Sequence, residues 1–327
     1  MIWQLMGKAL FKAGSLVRGF GKISEGSSVK QAIHDGDTVS VVADGSFSIR
    51  FLGVDTPEVS LAYPNLDNDP DGGKWISISN EKFQIYLTKP FDSQYPDSQT
   101  YKDNLGSDLV DYLEPKLNAN TAKNHHDLAM KAQRELESIV GADVQERENQ
   151  NIKFRFFMAF AFEILDRYGR FLCYLDRDNN AQERLGRISY NEKMLQTGFA
   201  APYFIWPNLN PFIKSGSIVE AVPDINNFQV TINKSKRLRD ARDFVKKARE
   251  LEIGIFEKDN PLLLLPSELR YLARRGLPDR YVLDMSKARP KLIPPIRYHE
   301  IENIEDRLFI PEEYVPLFKE RGYEDEE

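Results

Sequence analysis

Two β-forming runs, residues 38–42 (TVSVV) and 47–54 (FSIRFLGV), flank the dipeptide Asp44-Gly45. Asp-Gly between such runs is a strong hairpin signal, because a two-residue turn of the favoured hand needs positive φ at its centre. The spacing therefore predicts a hairpin over 38–54, and this is the firmest local feature of the chain. The later elements follow from periodicity. Leu128, Ala129, Ala132, Leu136, Ile139 and Val140 make one apolar stripe, which predicts a helix over 121–140. Residues 152–165 form an apolar, Phe-rich run that reads as a strand, Asp166-Arg167-Tyr168-Gly169 as a turn, and 170–175 as its return strand. Ser189 with Glu192 makes a capping box for a helix that Gly198 stops. Leu238, Ala241, Val245 and Ala248 share one face of a helix over 234–252, whose other face carries eight Lys or Arg against four acids.

Strands, helix, strands, then helices is an α+β order. A small curved barrel capped by helices satisfies it, and the five-stranded oligonucleotide-binding barrel (OB-fold) is the natural candidate. Two stretches fall outside that pattern. Residues 59–120 are rich in Asp, Asn, Pro, Ser and Tyr without sustained periodicity, and positions 60–118 hold ten acids and five bases. They read as a long surface insertion. From 260 onward lie eight of the 18 prolines. Pro266 starts a short helix ending at Gly276, and the rest reads as extended chain with an acidic tail, Glu324 to Glu327. The organisation is then an N-terminal amphipathic segment (1–27), a central domain (28–258) with its insertion (59–120), and a Pro-rich C-terminal extension (259–327).

Composition sets limits on partners. The 327 residues are 41% hydrophobic and 29% charged, as in a soluble globular protein, and the formal net charge is −6. Bulk electrostatic attraction to nucleic acid is therefore excluded, and any such contact needs a local patch. Cys173 is the one cysteine, so no intrachain disulfide can form. No apolar run of 18 residues predicts a membrane span. The first 22 residues carry Lys8, Lys12, Arg18 and Lys22 without the continuous apolar core of an export signal. A cytoplasmic location is the expectation.

The chemistry-bearing residues cluster early. Asp35-Gly36-Asp37-Thr38 places two carboxylates on one side of an extended segment, and Asp55 closes the next predicted strand. Carboxylates with backbone carbonyls suit a hard cation such as calcium, whereas zinc would want His or Cys. His125 and His126 are adjacent on a helix, about 100° apart, and chelate poorly.

Asp37-Thr38, Arg50 and Asp55-Thr56-Pro57-Glu58 together resemble the staphylococcal nuclease (thermonuclease) family. Its D-K-Y-G-R turn is similar to Asp166-Arg167-Tyr168-Gly169-Arg170. Its following helix is similar to Asn191-Glu192 with Gly198-Phe199-Ala200, and its closing helix to Ala241 through Gly254-Ile255-Phe256. The likeness covers about 34–58 and 121–258. It implies an OB-fold nuclease that hydrolyses phosphodiester bonds of DNA or RNA and leaves 3′-phosphate ends. Ca2+ would be held by Asp37, Asp55 and the Thr56 carbonyl. Glu58 would act on the attacking water, and Arg50 and Arg170 would clamp the phosphate. Tyr168, Arg167, Phe204 and Trp206 would line the nucleotide pocket, although the last two stand where the family carries tyrosine. Two other classes stay open: a member that only binds nucleic acid or protein, and an assembly protein working through the acidic insertion and Pro-rich tail.

Overall fold

The computed structural model describes residues 20–23, 33–35, 38–39, 41–44, 48–66, 69–166, 168–177 and 188–326. The chain divides into two units: residues up to 51 with 159–173, and residues 52–158 with 174–327.

In the first unit the β-rich runs become short strands. β1 (Phe20–Ile23) lies antiparallel to β4 (Val41–Asp44), and β2 (Ile33–Asp35) antiparallel to β3 (Thr38–Val39). β5 (Ile49–Phe51) runs parallel to the first residues of β10 (Phe171–Arg177), with Arg50 opposite Leu172. β9 (Phe156–Leu165) is the third strand of that sheet, whose order is β5-β10-β9. The hairpin expected across Asp44-Gly45 is not seen among the described residues: β4 pairs with β1, and β5 with β10.

The larger unit holds a four-stranded sheet of order β12-β13-β11-β6. β6 (Gly53–Asp55) pairs antiparallel with β11 (Ala201–Ile205), placing Ala201 opposite Asp55. The other edge of β11 takes β13 (Arg307–Pro311) in parallel, and β13 pairs antiparallel with β12 (Arg280–Asp284). A separate pair joins β7 (Ser60–Ala62) to β8 (Trp75–Ser77). The expected five-stranded OB-fold barrel is thereby corrected. Among the described residues the strands form open sheets, and none closes into a barrel. The cause lies at β11, where an edge is taken by a strand from the C-terminal extension.

Residues 59–120 also differ from expectation. They form α1 (Glu81–Thr88), α2 (Ser98–Leu105) and α3 (Ser107–Leu113). Phe83, Tyr86, Leu87, Leu105, Leu109 and Leu113 are buried in one core with Leu264, Leu269, Leu272, Val282 and Phe309. The Tyr86 hydroxyl donates to the Leu272 carbonyl at 2.8 Å. Helices of seven or eight residues are two turns long, too short to show a period in a sequence window.

The longer elements follow their sequence signals. α4 (Thr121–Asn149) buries Leu128, Ala129 and Ala132 and runs past the predicted end at 140. Its added turns are held by Asp143, which accepts from the Tyr190 hydroxyl at 2.8 Å and pairs with Lys193 and Arg177. α5 (Tyr190–Gln196) has the capping box of Ser189 and Glu192, and Gly198 (φ 75°) ends it. A Cβ on Gly198 would come within 2.7 Å of the Ile253 carbonyl oxygen, so only glycine fits this approach. Asn191 accepts from the Leu175 N–H and donates to the Leu52 carbonyl, both at 2.9 Å. α6 (Phe228–Lys234) precedes α7 (Lys236–Glu250), which buries Leu238, Ala241, Val245 and Ala248. On its basic face Arg242 pairs with Asp306 and Arg249 with Glu305. Part of that face is therefore matched by acids of the extension. α8 (Pro266–Arg274) starts at its proline as predicted, and α9 (Val315–Glu320) lies near the C-terminus. Among the described residues no helix is long and apolar enough to cross a membrane.

Candidate functional site

The β6–β11 pairing fixes Asp55 at a strand end inside the larger unit, where it is 3% exposed. A buried carboxylate needs a charged or hydrogen-bonding partner. That partner is Arg270, which projects from α8. Its Nη1 and Nη2 donate to Asp55 Oδ1 at 2.9 Å and Oδ2 at 2.6 Å, a two-pronged fork. The same Nη1 donates to Glu58 Oε1 at 2.7 Å. One guanidinium nitrogen thus bridges the two carboxylates. Burial opposes the charge on Arg270, but Asp55, Tyr203 and Glu58 outweigh it and hold its pKa well above the ordinary arginine value.

The surroundings fix this trio. The Glu58 N–H donates to His125 Nε2 at 2.8 Å, so the α4 imidazole anchors the backbone that carries the acid. Burial pushes the His125 pKa down to about 3, which keeps the ring neutral and able to accept. The Arg270 guanidinium carbon stands 5.8 Å from the Tyr203 ring centre. The Tyr203 hydroxyl accepts from Arg280 Nη1 at 2.9 Å, and that nitrogen also meets Asp279. Thr56 and Glu58 are half-buried and Pro57 is buried.

Phe204 and Trp206, expected at a nucleotide pocket, are core residues at 3% and 0% exposure. The Trp206 indole N–H donates to the Ala221 carbonyl at 3.1 Å, and its ring meets Tyr314 and Phe318 edge-on. Trp206 presents no face on which a base can stack, and Phe204 only lines a small cavity with Leu52, Gly53 and Tyr174.

In the first unit, the turn from 166 to 170 closes on itself. Asp166 Oδ1 accepts from the Tyr168 and Arg170 N–H groups, each at 2.9 Å, and Oδ2 accepts from Arg170 Nε at 2.7 Å. Gly169 supplies the positive φ of 78°. Tyr168 is 52% exposed, and its ring centre lies 5.3 Å from the Arg170 guanidinium carbon. Arg50 is half-buried on β5. Asp37 and Arg167 lie outside the described residues, as do the side chains of His34 and Asp35.

The donor chemistry at Asp55, Glu58 and the Thr56 carbonyl is of the oxygen type that suits calcium. The arrangement nevertheless does not fit a cation while Arg270 is in place. An ion bridging Asp55 and Glu58 would need the position of Nη1, which already bridges them. Among the described residues no cluster of three or more His, Cys, Asp or Glu is disposed to hold a metal. No protein-family model matches the chain, and neither a curated protein nor a solved structure matches it.

Sequence reasoning missed Arg270, His125 and Tyr203 as parts of this site. Adjacency to His126 argues against His125 as a chelator and says nothing of its bond to the Glu58 N–H. The available signal for Arg270 was its place in α8, beside the buried Leu269 and near Leu272. An arginine flanked by core positions has to be paired.

Proposed function

We propose that the chain is a nuclease of the thermonuclease-like, cation-dependent kind, hydrolysing phosphodiester bonds of DNA or RNA. The motif residues quoted above suggest it. One observation carries it: the fold brings the two motif acids Asp55 and Glu58 to one point, each within 2.9 Å of the same Arg270 nitrogen. In this reading water attacks phosphorus, the bond to the 5′-oxygen breaks, and the 3′-phosphate remains. Glu58 takes the proton of the attacking water. Arg50 and Arg170, both of the first unit, carry planar forks of the kind that suits phosphate oxygens on which negative charge grows. Calcium is the expected cation, and the reducing cytoplasm, consistent with one buried thiol at Cys173, the expected compartment.

The deciding experiment is digestion of single-stranded DNA, duplex DNA and RNA with calcium against chelator. Release of 3′-phosphate ends with calcium alone supports the reading, and intact substrate under every condition refutes it. Glu58→Gln is expected to lower turnover by about a hundredfold or more. A near-normal rate removes Glu58 from the chemistry.

A second reading is favoured by Arg270 itself. A guanidinium that already satisfies Asp55 and Glu58 suits a non-catalytic module that binds nucleic acid or protein. Oligonucleotide binding without cleavage would select it.

A further inference from the structure

The larger unit holds a small cavity that none of Asp55, Glu58 and Arg270 lines. One side is β6 at Leu52, Gly53 and Val54, and the rest includes Phe204 of β11, Leu195 of α5 and Leu238 of α7. Gly53 keeps this space open. Its φ is 75°, and a Cβ there would stand 3.3 Å from the Tyr174 hydroxyl oxygen and 3.7 Å from the Phe204 ring.

Three polar side chains line the same space. Asn210 is 8% exposed, and its Oδ1 is buried without a hydrogen-bond partner. Buried polar atoms in native proteins nearly always find a partner, in protein or in water, because leaving one unmet is costly. Burial and then the charge of Glu192 raise the pKa of the Tyr174 hydroxyl against the pull of Arg237, so it keeps its proton and can donate. Glu192 spends Oε2 on its capping bonds, while its Oε1 meets Arg237 Nε at 3.5 Å. The Arg237 side chain is 38% exposed and gives solvent a way in.

Size selects the occupant. The cavity measures about 20 Å³. One water needs roughly 10–15 Å³, whereas a benzene ring fills an apolar cavity of about 150 Å³. A buried water also needs at least about two polar partners, which this lining supplies. We propose that the cavity is a buried hydration site, in which one water donates to Asn210 Oδ1 and accepts from the Tyr174 hydroxyl. The water ties the chain after β11 to β10 and leaves its second proton for Glu192 Oε1. The site stands apart from the nuclease reading, since Arg50, Glu58 and Arg170 do not line it.

The test joins a crystal structure of the full chain, at a resolution that shows ordered water, to a thermal-melting cycle. Density for one water within about 3.2 Å of both Asn210 Oδ1 and the Tyr174 hydroxyl oxygen is expected. A dry cavity, or an Asn210 side-chain oxygen bonded to protein instead, overturns the proposal. In crystals of Asn210→Leu the water is expected to be gone, and a water that stays removes Asn210 as its anchor. In solution, Tyr174→Phe strips one partner from the water and is expected to lower the melting temperature by about 2–4 °C. Asn210→Leu strips the other. The double variant removes both partners of one water, so its shift is expected to fall short of the sum of the single shifts. Additive shifts overturn the bridge, with or without a crystal. If Asn210→Leu does not fold, Asn210→Ser, which draws the polar group back, carries the same expectation.

Discussion

The turn at 166–170 and the acidic segment at 55–58 each pair arginine with carboxylate, yet they are built in opposite ways. In the turn, Asp166 meets Arg170 four residues on, and the bonds of its carboxylate to Tyr168 and Arg170 close within five residues. The partner of Asp55 lies 215 residues away, on a helix fixed by the core of a different stretch of chain. The turn's pair is partly open to solvent, with the Arg170 side chain 35% exposed, while the Arg270 and Asp55 side chains are 11% and 3% exposed. The first arrangement is a local motif that holds its own shape. The second exists only when the whole larger unit is folded, so anything that loosens the C-terminal region also loosens the candidate site.

Truncation is the strongest way to break this contrast. Removing 260–327 takes away β13 from the edge of β11, together with Leu264, Leu269, Leu272, Val282, Ile293 and Phe309 from the shared core. Each such side chain contributes about 1.5–3 kcal/mol when buried, and their sum rivals the ~5–15 kcal/mol net stability of a domain. The truncated chain is expected to show no cooperative thermal transition by circular dichroism. A sharp melt would mean that the extension is accessory to the fold.

The next largest effect separates the two ion pairs. Arg270→Met removes both guanidinium bonds from the buried Asp55 carboxylate and is expected to cost about 3–5 kcal/mol in urea unfolding. Arg170→Met breaks a partly exposed pair and is expected to cost no more than about 1 kcal/mol. Equal costs would erase the distinction between a local and a global site.

The same division explains what could be read from the sequence. The capping box of Ser189 and Glu192, the stop at Gly198, the apolar face of α7, the Pro266 start and the turn at Asp166 were all legible, because each is fixed by chemistry within a few residues. The open sheet was not, because β propensity marks a strand without naming its neighbour. Nothing local tells β11 to pair with β13 rather than with a barrel partner. The helices of 81–113 were hidden by their shortness. Asp55 was legible as an acid that requires a cation, and Glu58 as an acid that acts on water. That the cation is supplied by Arg270 follows only from the packing of α8.

His125 offers a pH handle on the global site. Its pKa is depressed to about 3, by burial first and by the Arg270 charge and His126 in part, with the Asp55 charge pulling the other way. The unfolded chain, with an ordinary histidine, takes up the proton first as pH falls. This contribution to stability is therefore complete above about pH 6.5 and is lost as pH drops toward 3, by up to about 1.4 kcal/mol per unit. Comparing wild type with His125→Asn by urea unfolding between pH 7 and 4.5 measures it. The variant is expected to be less stable at pH 7 and flatter with pH, and parallel curves would mean that the imidazole is not held neutral by the fold.

The smallest stability effect is expected at Arg170→Lys, and its smallness is what makes it informative. Asp166 keeps its bonds to the Tyr168 and Arg170 N–H groups in the variant, since both are backbone donors. The ammonium of lysine can still meet Asp166, so unfolding free energy is expected to change by less than about 0.5 kcal/mol. Catalysis asks for something different. A planar fork can bond two phosphate oxygens at once, whereas an ammonium is a point charge. If Arg170 contacts the reacting phosphate, the variant should fold like wild type and cleave about a hundredfold more slowly, an effect of the size seen when one transition-state donor is removed. Wild-type kinetics in a fully folded Arg170→Lys protein would assign Arg170 to the turn alone, leaving Asp55, Glu58 and Arg270 to carry whatever chemistry the larger unit performs.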